Sequence, residues 1–100
     1  MTKRHLASEA YEKRLREDLH DPEEAAAYLE AAMEDQDPRI FLLALRDVAQ
    51  AQGMSKLARK AKIGRESLYK ALSESGNPEI RTVNKVLHAM GLKLTVEAAH

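Results

Sequence analysis

The sequence predicts an all-α domain, five helices long, with a helical extension ahead of it and a short β-strand behind. Three observations carry this. Apolar residues recur at three- and four-residue spacing, as in Val83, Val86, Leu87 and Met90. Helix punctuation brackets these stripes: Asp21-Pro22 and Asp37-Pro38 place an N-cap residue before a first-turn proline, and Gly53 and Gly91 stand where stripes stop. Aromatic residues are only 4 % of the chain and Trp is absent, so the core must be built from Leu, Ala, Val and Ile, which suits small helices packed closely.

The elements follow in order. Residues 1–20 form an N-terminal arm or helix with Tyr11, Leu15 and Leu19 four apart, flexible until it meets a partner. Residues 21–100 form the domain proper. Asp21 and Glu24 have the spacing of a capping box, and a helix over Glu23–Glu34 puts Ala25, Leu29, Ala32 and Met33 on one face. Pro38–Gln52 places Phe41, Leu45, Val48 and Ala49 at helical spacing, and Gly53 caps it. Ser55–Ala61 is a two-turn helix that buries Leu57, Ala58 and Ala61. Lys62-Ile63-Gly64 is a tight turn in which Gly64 takes the unusual backbone. Arg65–Ser75 buries Leu68 and Leu72, with Gly76 closing it, and Asn77-Pro78-Glu79 is a loop. The last helix starts at Arg81 or Thr82 and ends at Gly91.

The tail alternates Leu92, Leu94 and Val96 with Lys93, Thr95 and Glu97, a period-two strand pattern. A lone strand leaves its hydrogen bonds and apolar face unpaired. Pairing with its own copy about a two-fold axis answers both needs, which makes Leu92, Leu94 and Val96 the expected dimerisation residues. The other solution is a dimer through the last helix with the tail loose.

The formal net charge is zero, but its distribution is not even. Residues 21–37 carry seven acidic side chains and no basic one, whereas residues 38–100 carry eleven basic and five acidic, so the chain is electrically bipolar and offers two different surfaces. The basic surplus concentrates between Lys56 and Lys70, with six cations against one carboxylate. This is the short helix pair, and its layout is that of a helix-turn-helix. Ala58 is small where the helices cross, and Ile63 plugs the crossing. The second helix then leaves Arg65, Glu66, Tyr69 and Lys70 outward, positioned for base edges in a major groove. Ser55, Lys56, Arg59, Lys60, Lys62 and Ser67 surround them as phosphate contacts. The plainer reading is an αα-hairpin with a solvated basic face.

From about Asp21 to Val96 the chain resembles the addiction-module antidote proteins, Cro/repressor-type antitoxins of bacterial toxin–antitoxin operons. The residues that carry this are DPEEAAAYLEAAMED, FLLALRDVAQAQGMSKLAR and RESLYKALSESGNPEIRTVNKVLHAMGLKLTVE. The resemblance implies a five-helix repressor-like domain that binds its own operator. It also implies a small basic partner toxin of the RelE/ParE type. Gly64 departs from the pattern, standing where many members have a Ser N-cap. The acidic segment then suits a basic toxin, with Glu23, Glu24, Tyr28, Glu30 and Glu34 as the expected contacts.

Enzyme chemistry is not expected. His5, His20, His88 and His100 are scattered, and no His–carboxylate set has metal-site spacing. There is no glycine-rich phosphate loop, so no cofactor is expected. Without cysteine the chain has no disulfide or thiolate site. No apolar run approaches the roughly 20 residues of a membrane span, and no secretory signal opens the chain, so a cytoplasmic protein is expected. Two other functions fit the same residues: a stand-alone repressor without a toxin, or a helical protein-interaction adaptor.

Overall fold

The computed structural model describes residues 10, 11 and 13–99. Six helices and no strand are found among them. Helix α1 covers residues 13–18, with 10 and 11 also helical. It is followed by α2 (Pro22–Met33), α3 (Pro38–Gln52), α4 (Met54–Ala61), α5 (Arg65–Ala71) and α6 (Ile80–Ala89). Helix α2 packs on α3, α3 on α4, and α4 on both α5 and α6. One core unites them, from Leu19 through Leu45, Val48, Leu57 and Leu68 to Val86.

The starts of α2 and α3 are built from their Asp-Pro pairs. The Asp21 carboxylate accepts from the Glu23 N–H at 3.1 Å, and Asp37 accepts from the Arg39 N–H at 3.0 Å. The Arg39 guanidinium closes on the same Asp37 carboxylate at 2.9 Å. Its hydrogen bonds hold the Asp37 carboxyl below the ordinary carboxylate range. The expected capping box at Asp21 is only half formed. The Asp21 N–H donates to the Asp18 carbonyl in the last turn of α1, so it is not free for Glu24.

Four other expectations are corrected. Met33 does not join the core face of α2; it lies at the end of the helix and is 56 % exposed. Helix α4 begins one residue earlier, at Met54, whose side chain is buried. Helix α5 ends at Ala71 rather than Ser75. There the Ser73 hydroxyl donates back to the Lys70 carbonyl, and the Gly76 N–H donates to the Ser73 carbonyl, so the chain turns instead of continuing. Gly76 is therefore no helix cap. It sits so close beneath the last turn of α5 that a Cβ there would overlap the Ala71 carbonyl.

The fourth correction concerns the turn between α4 and α5. The left-handed residue is Lys62 (φ 57°, ψ 45°), whereas Gly64 has an ordinary φ of −59°. The hydrogen bonds explain this. The Ile63 N–H donates to the Ala58 carbonyl and the Lys62 N–H to the Arg59 carbonyl, the paired bonds of a Schellman motif. That pairing counts back from the end of α4 and forces the left-handed conformation onto position 62. Ile63 then packs on the core, as the crossing requires.

The tail forms no strand among the described residues, which corrects the expected element. The physical reason is that a ladder needs a neighbour, and the single chain offers none. The period-two alternation is kept from Leu92 to Thr95 and lost at Val96. Leu92 and Leu94 pack on the core of their own chain, Lys93 and Thr95 are exposed, and Val96 is 98 % exposed.

Candidate nucleic-acid interface

The pair α4–α5 sorts its side chains cleanly by face. Leu57, Ala58 and Ala61 of α4 are buried, as is Leu68 of α5, followed by Leu72. Met54 is buried with them and Ala71 is half-buried, and the other positions of both helices face out. Ser55, Lys56, Arg59, Lys60 and Lys62 are all exposed, and so are Arg65, Glu66, Ser67, Tyr69 and Lys70. Thus all ten side chains expected to face a nucleic acid are solvent-accessible on two consecutive helices and the turn between them.

Among the described residues, none of the six cations from Lys56 to Lys70 pairs with a carboxylate; the ion pair found is Arg39–Asp37. Arg59 and Lys60 lie in the last turn of α4, where the helix dipole favours them without any ligand. Arg65 and Tyr69, four apart on α5, share a face, and the guanidinium carbon lies 5.6 Å from the centre of the Tyr69 ring. The guanidinium thus lies over the Tyr69 ring. Gly64 occupies the N-cap position of α5 and supplies no side-chain cap.

The acidic surface lies on α2. Glu23, Glu24 and Glu30 are exposed, as is Glu34 at the helix end, and Glu23 and Glu30 fall on one stripe seven residues apart. Glu23 and Glu24 also favour the positive end of the α2 dipole. Tyr28 is placed differently from these carboxylates. Its hydroxyl donates to Asp47 Oδ2 of α3 at 2.7 Å, tying the two helices together. Desolvation, then the Asp47 hydrogen bond, push the Tyr28 hydroxyl up to about 12. Sequence spacing gave no signal for this pair, because its partners are 19 residues apart on different helices. Tyr11, at the far end of the α1 stripe, is 64 % exposed, while Leu15 and Leu19 reach the core.

Among the described residues no group of His, Asp or Glu is gathered as a metal site. No helix there is long and apolar enough to cross a membrane.

The fold defines a class of small helical domains with a basic helix pair and a separate acidic helix. Comparison with known proteins narrows it. Residues 10–98 match the family described as "Probable addiction module antidote protein", and the chain belongs to that family. It is 44 % identical over 81 residues to an uncharacterized protein of Haemophilus influenzae, an alignment covering 81 % of this chain and 84 % of that protein. No solved structure matches the chain.

Proposed function

We propose that this chain is a sequence-specific DNA-binding antitoxin, which represses its own operon and neutralises a partner toxin. The observation that carries this reading is the exposed cluster of six cations on α4, its turn and α5, none of them paired with a carboxylate among the described residues. Family membership supplies the antitoxin half. In this reading α4 and α5 act as a helix-turn-helix, with α5 in the major groove. Arg65, Glu66, Tyr69 and Lys70 read base edges, and Arg65 is the residue suited to a bidentate contact with guanine. Ser55, Lys56, Arg59, Lys60, Lys62 and Ser67 hold phosphates and so set affinity and register without sequence information.

One such helix spans few base pairs, so the operator is read by a homodimer across two half-sites. The toxin is of the RelE/ParE type, small and basic, and it meets the carboxylates of Glu23, Glu24, Glu30 and Glu34. Opposite fields there speed encounter and orient the partner. Tyr28, committed to Asp47, supports the acidic helix rather than meeting the toxin through its hydroxyl. DNA, toxin and protein would meet in the cytoplasm.

Fluorescence anisotropy with DNA from upstream of the chain's own reading frame tests the proposal. The expected result is binding at least a hundredfold tighter than to shuffled DNA, with a steep salt dependence. Equal, weak binding to both would refute operator recognition and leave a protein-interaction adaptor.

A further inference from the structure

The segment after α6 is the least partnered backbone in the fold. The Leu92 N–H closes the helix by donating to the Leu87 carbonyl at 2.8 Å. Beyond it, among the described residues, the backbone groups of residues 93–99 make no backbone hydrogen bond. The segment is nonetheless anchored, since Leu92 and Leu94 rest on the core. It is a segment with free backbone donors and acceptors, already held on a hydrophobic support, and a second such segment could pair with it.

Its side chains specify what it pairs with. In an antiparallel pair of identical strands centred on residue 95, position 93 of one copy lies opposite position 97 of the other. Lys93 then faces Glu97, and by symmetry Glu97 faces Lys93, so one contact supplies two opposite-charge pairs. Leu94 faces Val96 on the core side, covering a Val96 that is 98 % exposed in the single chain. Thr95 meets Thr95 on the axis. Opposite charges, β-branched apolar pairs and Thr–Thr pairs are each favourable directly across a ladder. A shift of one residue in the pairing sum would place Leu94 or Val96 opposite a charged or polar side chain.

We propose that residues 93–97 pair antiparallel with the same residues of a second copy, with Thr95 on the two-fold axis. This rests on the homodimer reading above and gives that interface a residue-by-residue register. Contact of α5 with a single half-site is separable from it, because α4 and α5 contribute nothing to the tail interface, whereas affinity for the full operator depends on the dimer.

The test uses cross-linking and charge exchange in the full chain. The chain has no cysteine, so introduced thiols report alone. Directly opposed strand positions lie about 4.5–5.5 Å apart between Cα atoms, within disulfide reach. Thr95→Cys should therefore cross-link copies under mild oxidation. Lys93→Cys alone should not, since its two thiols would sit about 13 Å apart along the ladder, but mixed with Glu97→Cys it should give a heterologous cross-link. In sedimentation, Lys93→Glu alone and Glu97→Lys alone should each weaken dimerisation about tenfold, and the double exchange should restore it to within about twofold. Circular dichroism confirms that each variant is folded. Cross-linking of Lys93→Cys with itself in place of Thr95→Cys would overturn the register. A wild-type chain that stays monomeric, or single charge variants that dimerise as wild type does, would overturn the interface; an anisotropy assay on DNA carrying a single half-site reports on α5 without requiring the dimer.

Discussion

Lys62 is the sharpest place to perturb this protein, because its backbone and its charge predict effects of opposite sign. It is the one non-glycine residue with positive φ among the described residues. A side chain in that conformation costs roughly 1–2 kcal/mol that glycine does not pay. Glycine gives back about 0.4–1 kcal/mol through the greater freedom of the unfolded chain. Lys62→Gly should therefore stabilise the fold by about 0.5–1 kcal/mol, which for a domain of this size raises Tm by about 2–8 °C. Lys62→Ala keeps a Cβ in the left-handed conformation and should leave Tm nearly unchanged. Both variants remove one phosphate contact, so both should weaken DNA binding alike and reduce the salt slope by about 0.9. Thermal denaturation followed by circular dichroism gives the first quantity, and anisotropy titrations at several salt concentrations give the second. If Lys62→Gly and Lys62→Ala have the same Tm, the left-handed turn is not where the strain lies. If the salt slope is unchanged in both, Lys62 does not meet phosphate.

Other expectations follow from the same geometry. Arg65→Ala should relax preference at one position of each half-site, losing about 1–3 kcal/mol of discrimination, whereas Lys56→Ala should weaken all sequences equally; binding to a panel of operator point variants separates the two. Gly64→Ser should stabilise by about 0.5–1 kcal/mol, since a cap hydroxyl is gained and backbone freedom is lost from the unfolded chain, and the new Cβ would meet only Ser67 Oγ at 3.7 Å. Gly76→Ala should cost about 1–3 kcal/mol in a urea titration, because its Cβ has no room beneath the Ala71 carbonyl. Tyr28→Phe should lose about 0.5–1.5 kcal/mol with the Asp47 hydrogen bond. Tyr28 ionises at 10.0 when unfolded and about 12 when folded, so the stability from keeping it protonated is complete below pH 10 and lost as pH rises through 12; the difference between wild type and Tyr28→Phe should shrink across that window.

What the sequence made legible was what is decided locally. The starts of α2 and α3 are set by Asp21 and Asp37, whose carboxylates bond a backbone N–H two residues on. The α6 stripe of Val83, Val86 and Leu87 is buried as its spacing requires. The exposed basic face of α4 and α5 follows directly once Leu57 and Leu68 turn inward. What was not legible depends on neighbours. The residues after Ala71 have the composition to extend a helix, yet Ser73 and the close approach of Gly76 turn the chain. Tyr28 looked like one more member of an acidic surface, but its hydroxyl belongs to Asp47 on another helix. The tail carried a period-two pattern, but no strand forms there among the described residues.

Helices α4 and α6 end with the same backbone geometry. Helix α6 closes with the Leu92 N–H on the Leu87 carbonyl and the Gly91 N–H on the His88 carbonyl. Helix α4 closes with the same pair of bonds, from Ile63 to Ala58 and from Lys62 to Arg59. In each, the residue that follows the left-handed position is an aliphatic side chain packed on the core, Leu92 or Ile63. At α6 the left-handed position is Gly91 (φ 79°), the residue that fits it without strain; at α4 it is Lys62. Identical backbone demands are thus met by the unstrained residue where the helix ends toward the tail, and by a strained cation where it ends between α4 and α5. A rule of local preference is broken at the point where the cationic surface is densest, and such breaks are expected where function competes with stability. The same logic gives the order of effects in a variant combining Lys62→Gly with Gly64→Ser. The turn becomes more stable at both ends, while the surface loses one of its six cations and the gain in folding appears beside a loss in DNA affinity.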